Sequence, residues 1–447
     1  MIEAIIRGAG PDELARTPIP DEFLAAHLRK EDVGMFGDEP DKDVRRSLRV
    51  GRIPMPELAP DEVLLAVQAS SINYNTVWSA TFEPISTFDA LKRTAKAGGD
   101  AAKHDQPHHV VGSDASGVIV RVGAAVRRWK VGDHVAVSPM VVDVEDPVMH
   151  ADAMLSDVRA WGYETNFGGL AQYSIVRASQ LLRKPAHLTW EEAACIPLCG
   201  ATAYRMLIGE RGARMKQGDI VLIWGASGGL GSFAVQMVKN GGGIPIGVVS
   251  SEEKAELVHK LGCDIVINRD EIGVGRQITP GSQTVSAAKR LGQVIRQKVG
   301  EDPHIVFDYV GKATFGISVI VARRGGTVVT CGSSSGYEHN FDNRYLWMNL
   351  KRIIGSHAMN LHEATQTMRL CSLGLLTPVL SRVYPLAAVG DAARLVQNNA
   401  HTGKVGVLCI APEPGLGVTD HQLRAQLGGD TGLNPLRTTS TGVLSAV

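Results

Sequence analysis

The chain has 447 residues, 44% hydrophobic and 21% charged, which suits a globular protein able to bury its own core and excludes wholesale disorder. Lys and Arg number 46, as do Asp and Glu, so a net charge of zero argues against a nucleic-acid binder with a basic surface. Six scattered cysteines (195, 199, 263, 331, 371, 409), no apolar run of membrane-spanning length and no secretory pattern at the start predict a soluble, cytoplasmic protein without a disulfide scaffold.

At roughly 150 residues per domain, the length predicts about three domains or two large ones. Residues 1–55 are mixed and charged, and DEFLAAHLRKED within them reads as helical. From about residue 57 short strands follow, punctuated by Gly and Asp: PELAPDEVLLAVQASSIN, HHVVGSDASGVIVRVG, GDHVAVSP and AQYSIVRASQLL. This predicts a small, twisted antiparallel barrel. Between about 200 and 355, short apolar runs (DIVLIWG, IPIGVVS, DIVIN, HIVFDYVG, GGTVVTCG) alternate with helical stretches such as SFAVQMVKNGG and EEKAELVHKLG. That alternation predicts an α/β fold of Rossmann type, a doubly wound parallel sheet with helices on both faces. EATQTMRLCSLGLL and VGDAARLVQNNA read as helices and GKVGVLCI as a last strand. The expected divisions are 1–200, 201–355, a return to the first domain over 356–412, and a flexible Gly-, Thr- and Pro-rich tail at 413–447.

WGASGGLGSFAVQMVK sets Gly225, Ala226, Ser227, Gly228, Gly229, Leu230 and Gly231 between a strand and a helix. Glycines there permit a tight turn and close backbone approach, and the helix start offers N–H groups to a pyrophosphate. A glycine-rich packing turn is the plainer alternative. About 20 residues on, where such sites choose their nicotinamide cofactor, stand Ser250, Ser251 and Lys254. Hydroxyls and a cation suit the 2′-phosphate of NADPH, which an Asp would repel. Glu252 leaves NAD open, and Ser-Ser-Glu-Glu also reads as a helix N-cap with an acidic first turn.

A barrel ahead of a dinucleotide domain, with the chain returning afterwards, resembles the medium-chain dehydrogenase/reductase superfamily over about residues 45–412. ASSIN at 69–73, VGSDASG at 111–117, VGDHV at 131–135, ASGGLG at 226–231 and GKVGVL at 403–408 carry the resemblance. It implies a GroES-like catalytic barrel over 1–200 and an NADPH-binding domain over 201–355. The zinc branch is similar to Cys-His-Thr-Asp where this chain has Asn73, Tyr74, Asn75 and Thr76, and to Gly-His-Glu where it has Gly112, Ser113 and Asp114. Both soft ligands are replaced, and no Cys-x₂-Cys run follows. His108 and His109, adjacent on a strand, point to opposite faces and read as structural. No metal is expected, which leaves the enoyl and quinone reductases of the superfamily.

Three further segments resemble the crotonyl-CoA carboxylase/reductase family: SSINYNTVWSATFEPISTF at 70–88, the long connection at 138–173 containing WGYETNFG, and DNRYLWMNLKRIIGSH at 342–357. The resemblance implies hydride transfer from NADPH to the β-carbon of an enoyl-CoA. The resulting enolate attacks CO₂ and gives an alkylmalonyl-CoA. Some members take longer or branched enoyl-CoAs and make extender units for polyketide synthesis. The family assembles as homotetramers, so an oligomer is expected.

By the same resemblance Asn75 holds a CO₂ oxygen, with Asn73 as the alternative. His357 donates directly or through a water, Glu164 fixes that water and the imidazole, and Tyr163 is the shielding wall. The family commonly has Phe where Tyr163 stands, and a phenol there brings an O–H near the enolate. It also tends to have Phe where this chain has Ala358, and losing that ring hints at a longer acyl substrate. Arg344, Lys351 and Arg352 are a cation cluster suited to CoA phosphates, or else solvated charge on a helix. Trp347 and Met348 between them read as core or subunit contact. Each site residue also has a plain reading: Asn73 and Asn75 bonding backbone at a strand end, His357 a satisfied polar residue, Glu164 an exposed loop charge. The competing functions are a non-carboxylating enoyl-CoA or quinone reductase and a non-catalytic NADPH-binding protein.

Overall fold

A computed structural model describes residues 1–274 and 282–427. It resolves two units. Of these residues the first holds 1–198, 360–372 and 380–427; the second holds 199–274, 282–359 and 373–379.

The spine of the first unit is the strand Glu62–Ile72, whose eleven residues are all buried. Val63, Leu65 and Val67 enter one apolar cluster with Ile119, Val135 and Trp161. Leu64 and Ala66 enter another with Val118, Val120 and Tyr173. Successive side chains of a strand point to opposite faces, so one run of EVLLAVQ supplies two cores at once. The sheet runs Leu181–Arg183, His134–Val137, Ser116–Val122, Glu62–Ile72, Lys404–Leu408, Leu380–Pro385, and Tyr173–Arg177 also pairs with the spine. Register shifts in the spine at Leu64/Leu65 and Val67/Ala69 mark bulges, which bend and twist a strand toward closure. One pairing departs from the antiparallel expectation: Leu380–Pro385 lies parallel to Lys404–Leu408.

DEFLAAHLRKED is not a helix. Glu22–Arg29 is a strand, paired on one side with Arg49–Pro54 and on the other with His108–Val110. Hydrogen bonding on both edges and burial of Phe23, Ala25, Ala26 and Leu28 outweigh the weak helix propensity of the segment. The expected tail also differs over 413–427. Gly415 N–H donates to Glu191, Lys184 donates to the Gly417 carbonyl, Arg424 pairs with Glu192, and His421–Gln426 is helical. Residues 428–447 lie outside the described residues.

The second unit is built on a six-stranded parallel sheet, ordered Ile265–Asn268, Ile244–Val249, Ile220–Trp224, Ile305–Phe307, Thr327–Thr330, Arg352–Gly355. In chain order this is 3-2-1-4-5-6, the Rossmann order. A ligand crevice is therefore expected at the carboxyl ends of Ile220–Trp224 and Ile305–Phe307, where the winding reverses. Helices Gly229–Asn240 and Glu252–Lys260 follow the first two strands in sequence. Among the described residues no helix is long and apolar enough to cross a membrane.

Candidate active site

At the predicted crevice the chain leaves Trp224 through Gly225, at φ +62, and enters the helix at Gly229. A Cβ on Gly225 would lie 2.7 Å from the Tyr309 hydroxyl, one on Gly228 2.5 Å from it, and one on Gly231 2.2 Å from the Gly225 carbonyl oxygen. Only glycine fits this packing. The N-cap Gly228 provides no side chain to bond the first-turn N–H groups, so those of Gly229 and Leu230 remain available to a pyrophosphate, while Gly231 N–H meets the Tyr309 hydroxyl. The Gly225–Gly231 string therefore has the shape and the free donors that a dinucleotide needs.

Tyr309, which the glycine pattern did not reveal, holds this loop from the neighbouring strand end. Its hydroxyl donates to the Gly225 carbonyl at 2.8 Å, and burial pushes its ionisation upward. Asp308 sets the ring's place. Its buried carboxylate accepts from the N–H groups of Val310 and Gly311 and from the Thr314 and Ser318 hydroxyls. Burial raises its pKa while these donors pull it back.

Beyond the next strand, Ser251 caps the helix Glu252–Lys260, its hydroxyl accepting from Lys254 N–H at 3.3 Å. Lys254 Nζ also donates to the Ser250 hydroxyl at 3.4 Å. The N-cap and the phosphate-site readings thus coexist on the same residues. Glu252 is exposed. Arg269, absent from the sequence expectation, follows the adjacent strand and donates its N–H to the Val249 carbonyl at 3.0 Å. Two hydroxyls and two cations near one strand end suit a 2′-phosphate better than a bare ribose.

In the first unit, Asn73 and Asn75 begin the helix Tyr74–Thr81, with Asn73 as N-cap. Asn73 is fully engaged: Nδ2 donates to Asp114 Oδ2 at 2.7 Å, and Oδ1 accepts from Lys404 Nζ. Lys404 and Ser71 also donate to that Asp114 oxygen, at 3.0 and 2.5 Å, inside a core where Lys404 and Asp114 are both buried. Asn73 is thereby a structural residue that fixes the helix start. Asn75 differs. Its Nδ2 donates to the Ser113 hydroxyl at 2.8 Å, while its buried Oδ1 has no partner.

Ser113 donates in turn to the Trp161 carbonyl at 2.8 Å. Trp161 leads into the turn that carries Tyr163 and Glu164, both half-buried. The N–H groups of Tyr163, Glu164 and Thr165 all point at the Ala160 carbonyl, and Glu164 Oε2 accepts from Ala160 N–H at 2.9 Å. The carboxylate thus caps its own turn and leaves Oε1 over. Thr94, on the helix Thr87–Ala95, donates its hydroxyl to the Glu164 carbonyl at 2.9 Å. His109 is fully buried and lies 2.8 Å from the Thr87 hydroxyl, while the His108 carbonyl accepts from Asn166. Burial holds His109 down to about 3 and His104 and His108 down to about 4, so all three are neutral. Among the described residues no group of three or more His, Cys, Asp or Glu is placed to hold a metal.

The three expected CoA cations do not converge on one anion. Arg344 is forked onto Asp342. Lys351 donates to the Val319 and Ile320 carbonyls at 2.8 and 3.0 Å, capping a helix end, and burial lowers it to about 8. Arg352 reaches the Thr327 hydroxyl at 3.1 Å from the sheet edge. Arg344, at the start of the helix Arg344–Trp347, and Arg352 are both exposed. His357 follows the edge strand Arg352–Gly355 in the second unit and is exposed.

An alcohol dehydrogenase GroES-like domain model matches residues 59–186, and a zinc-binding dehydrogenase model matches residues 229–372. A crotonyl-CoA reductase of Streptomyces collinus is 49% identical over 93% of this chain and 94% of its own length. A crotonyl-CoA carboxylase/reductase of Cereibacter sphaeroides is 39% identical over 89% and 90%. Among solved structures, the 2-octenoyl-CoA carboxylase reductase CinF, in complex with NADP and 2-octenoyl-CoA, is 62% identical, covers 98% of both chains and superposes with a TM-score of 0.95.

Proposed function

We infer the function from one premise: the chain belongs to the crotonyl-CoA carboxylase/reductase family. It reduces an α,β-unsaturated acyl-CoA with NADPH and joins CO₂ to the α-carbon, yielding an alkylmalonyl-CoA. Gly225–Gly231, Ser250, Ser251, Lys254 and Arg269 hold the cofactor, which when bound supplies the hydride for the β-carbon. The substrate enolate then faces a choice between CO₂ and a proton. The chain's task is to exclude proton donors from the α-carbon and to stabilise the growing carboxylate.

The observation that carries this reading is Asn75. It is a half-buried amide, aligned by one hydrogen bond from Nδ2 to Ser113 and with its second Nδ2 hydrogen to spare, beside the turn of Tyr163 and Glu164. Asn75 binds a CO₂ oxygen, Glu164 supplies a further polar contact, and Tyr163 shields the carbon. The bound 2-octenoyl-CoA of CinF, together with Ala358 in place of an aromatic ring, supports a medium-chain acyl substrate.

The test is turnover of crotonyl-, hexenoyl- and octenoyl-CoA with and without bicarbonate, with products identified by mass. An alkylmalonyl-CoA is expected, with the highest kcat/KM for octenoyl-CoA. Acyl-CoA as sole product under saturating CO₂ eliminates the carboxylase reading. One observation favours that simpler reductase: the phenol of Tyr163 is a proton donor on the shielding turn. Tyr163→Phe is expected to keep or raise the carboxylated share, and a large drop would make the hydroxyl a participant.

The chain also assembles with copies of itself. The edge strand Arg352–Gly355 pairs on one side only among the described residues, and Trp347 and Leu350 beside it are 60% and 67% exposed. An open strand edge next to bulky apolar side chains is a surface that association covers. Light scattering is expected to give a tetramer, and a monomer at micromolar concentration refutes the assembly.

A further inference from the structure

Ser113 stands where the zinc branch of the superfamily has a metal-ligating His, and it is 1% exposed. Its hydroxyl lies 2.8 Å from the Trp161 carbonyl and 2.8 Å from Asn75 Nδ2. A carbonyl only accepts, so the single Ser113 proton goes to Trp161. The hydroxyl oxygen is left as an acceptor, and it must meet an N–H of Asn75 rather than its oxygen. This polarity chain fixes which end of the Asn75 amide is which.

The backbone contact that brings Ser113 to Trp161 is close. A Cβ on Gly162 would lie 2.0 Å from the Gly112 carbonyl oxygen, and one on Gly112, at φ +110, would lie 2.6 Å from the Leu170 nitrogen. Side chains at 112 or 162 would pry the two segments apart.

We propose that Ser113 is a positioning residue for carboxylation: it holds the Asn75 amide in the one orientation that offers an N–H to CO₂, and ties that amide to the turn of Tyr163 and Glu164. The proposal rests on the carboxylase reading above. As CO₂ becomes a carboxylate its oxygens gain negative charge, so an N–H beside them strengthens while a C=O in the same place repels. Loss of Ser113 removes the bond that distinguishes the two amide orientations. The amide then samples both, and CO₂ loses its fixed donor while protonation of the enolate does not need one.

The experiment compares alkylmalonyl-CoA with acyl-CoA formed by wild type, Ser113→Ala, Ser113→Cys and Ser113→Thr across a range of CO₂ concentrations. Ser113→Ala is expected to lower the carboxylated-to-protonated ratio about tenfold and raise half-saturating CO₂ by a similar factor. Ser113→Cys keeps the volume but hydrogen-bonds weakly, so it shifts the same way and decides the matter if the alanine variant does not fold. Ser113→Thr keeps the hydroxyl and restores the ratio. In an Asn75→Ala background, Ser113→Ala adds no further change, because the two act as one unit. A wild-type ratio in both the Ala and Cys variants overturns the proposal. So does an equal fall of both products, which would mark a merely structural role. Wild type that makes no alkylmalonyl-CoA would instead overturn the carboxylase reading itself.

Discussion

Asn73 and Asn75 stand two residues apart and end in the same amide, yet their surroundings give them different work. Asp114 and Lys404 occupy both ends of Asn73, and Ser113 occupies one end of Asn75. Ser113 takes one Nδ2 hydrogen of Asn75 and leaves the other for an oxygen of CO₂, whereas Oδ1, buried and without a partner, would repel that oxygen. Asn75→Leu is therefore expected to lower the carboxylated share of product by about tenfold or more, on the scale of losing one aligned transition-state donor. Product analysis at saturating enoyl-CoA checks it, and an unchanged ratio would show that Asn75 does not touch CO₂. Lys351 is the converse case. Its charge looked available in the sequence, but two helix-end carbonyls use it.

The glycine loop shows how one element depends on another. Its shape is set by Gly225, Gly228 and Gly231, but its position is set by Tyr309 at the end of Ile305–Phe307. Tyr309→Phe keeps the ring and removes the donor to the Gly225 carbonyl. The loss of one hydrogen bond, about 1 kcal/mol, is expected to raise the KM for NADPH about fivefold with kcat changed less. Steady-state kinetics at saturating enoyl-CoA tests this, and an unaltered KM would mean that the loop holds its shape without the phenol. The turn that bears Glu164 has a similar dependence, since Thr94 holds it from the helix Thr87–Ala95.

The molecule as a whole carries a group of neutral histidines in its first unit. His104, His108 and His109 are held at about 4, 4 and 3 by burial, against an ordinary value near 6.5. Between pH 6.5 and 4 the unfolded chain binds these protons and the folded chain does not, so folding stability is complete above about 6.5 and falls as pH drops below it. Urea unfolding at pH 7.5, 6, 5 and 4.5 is expected to show a midpoint that declines progressively, with up to about three protons taken up on unfolding. Replacement of His104 by Gln should flatten the decline. A midpoint constant from 7.5 to 4.5 would show that these groups titrate alike in both states.

Periodicity and turn chemistry were enough to read the parallel sheet, its glycine loop and the barrel strands, because these patterns are local. Burial on two faces makes Ile220–Trp224 uniformly apolar, and a tight turn onto a helix start demands glycine, wherever the chain later goes. The strand Glu22–Arg29 was not legible, since its pairing partners lie at 49–54 and 108–110 and long-range hydrogen bonds override propensity. Tyr309 and Ser113 were missed as loop and amide positioners for the same reason: each acts across 84 and 38 residues of chain. Residue types and local spacing thus determined which elements form and which chemistry is at hand. Which amide is spent, which lysine is engaged and which hydroxyl orients its neighbour were decided only by tertiary contacts, because a polar group's capacity depends on the partners that folding brings to it.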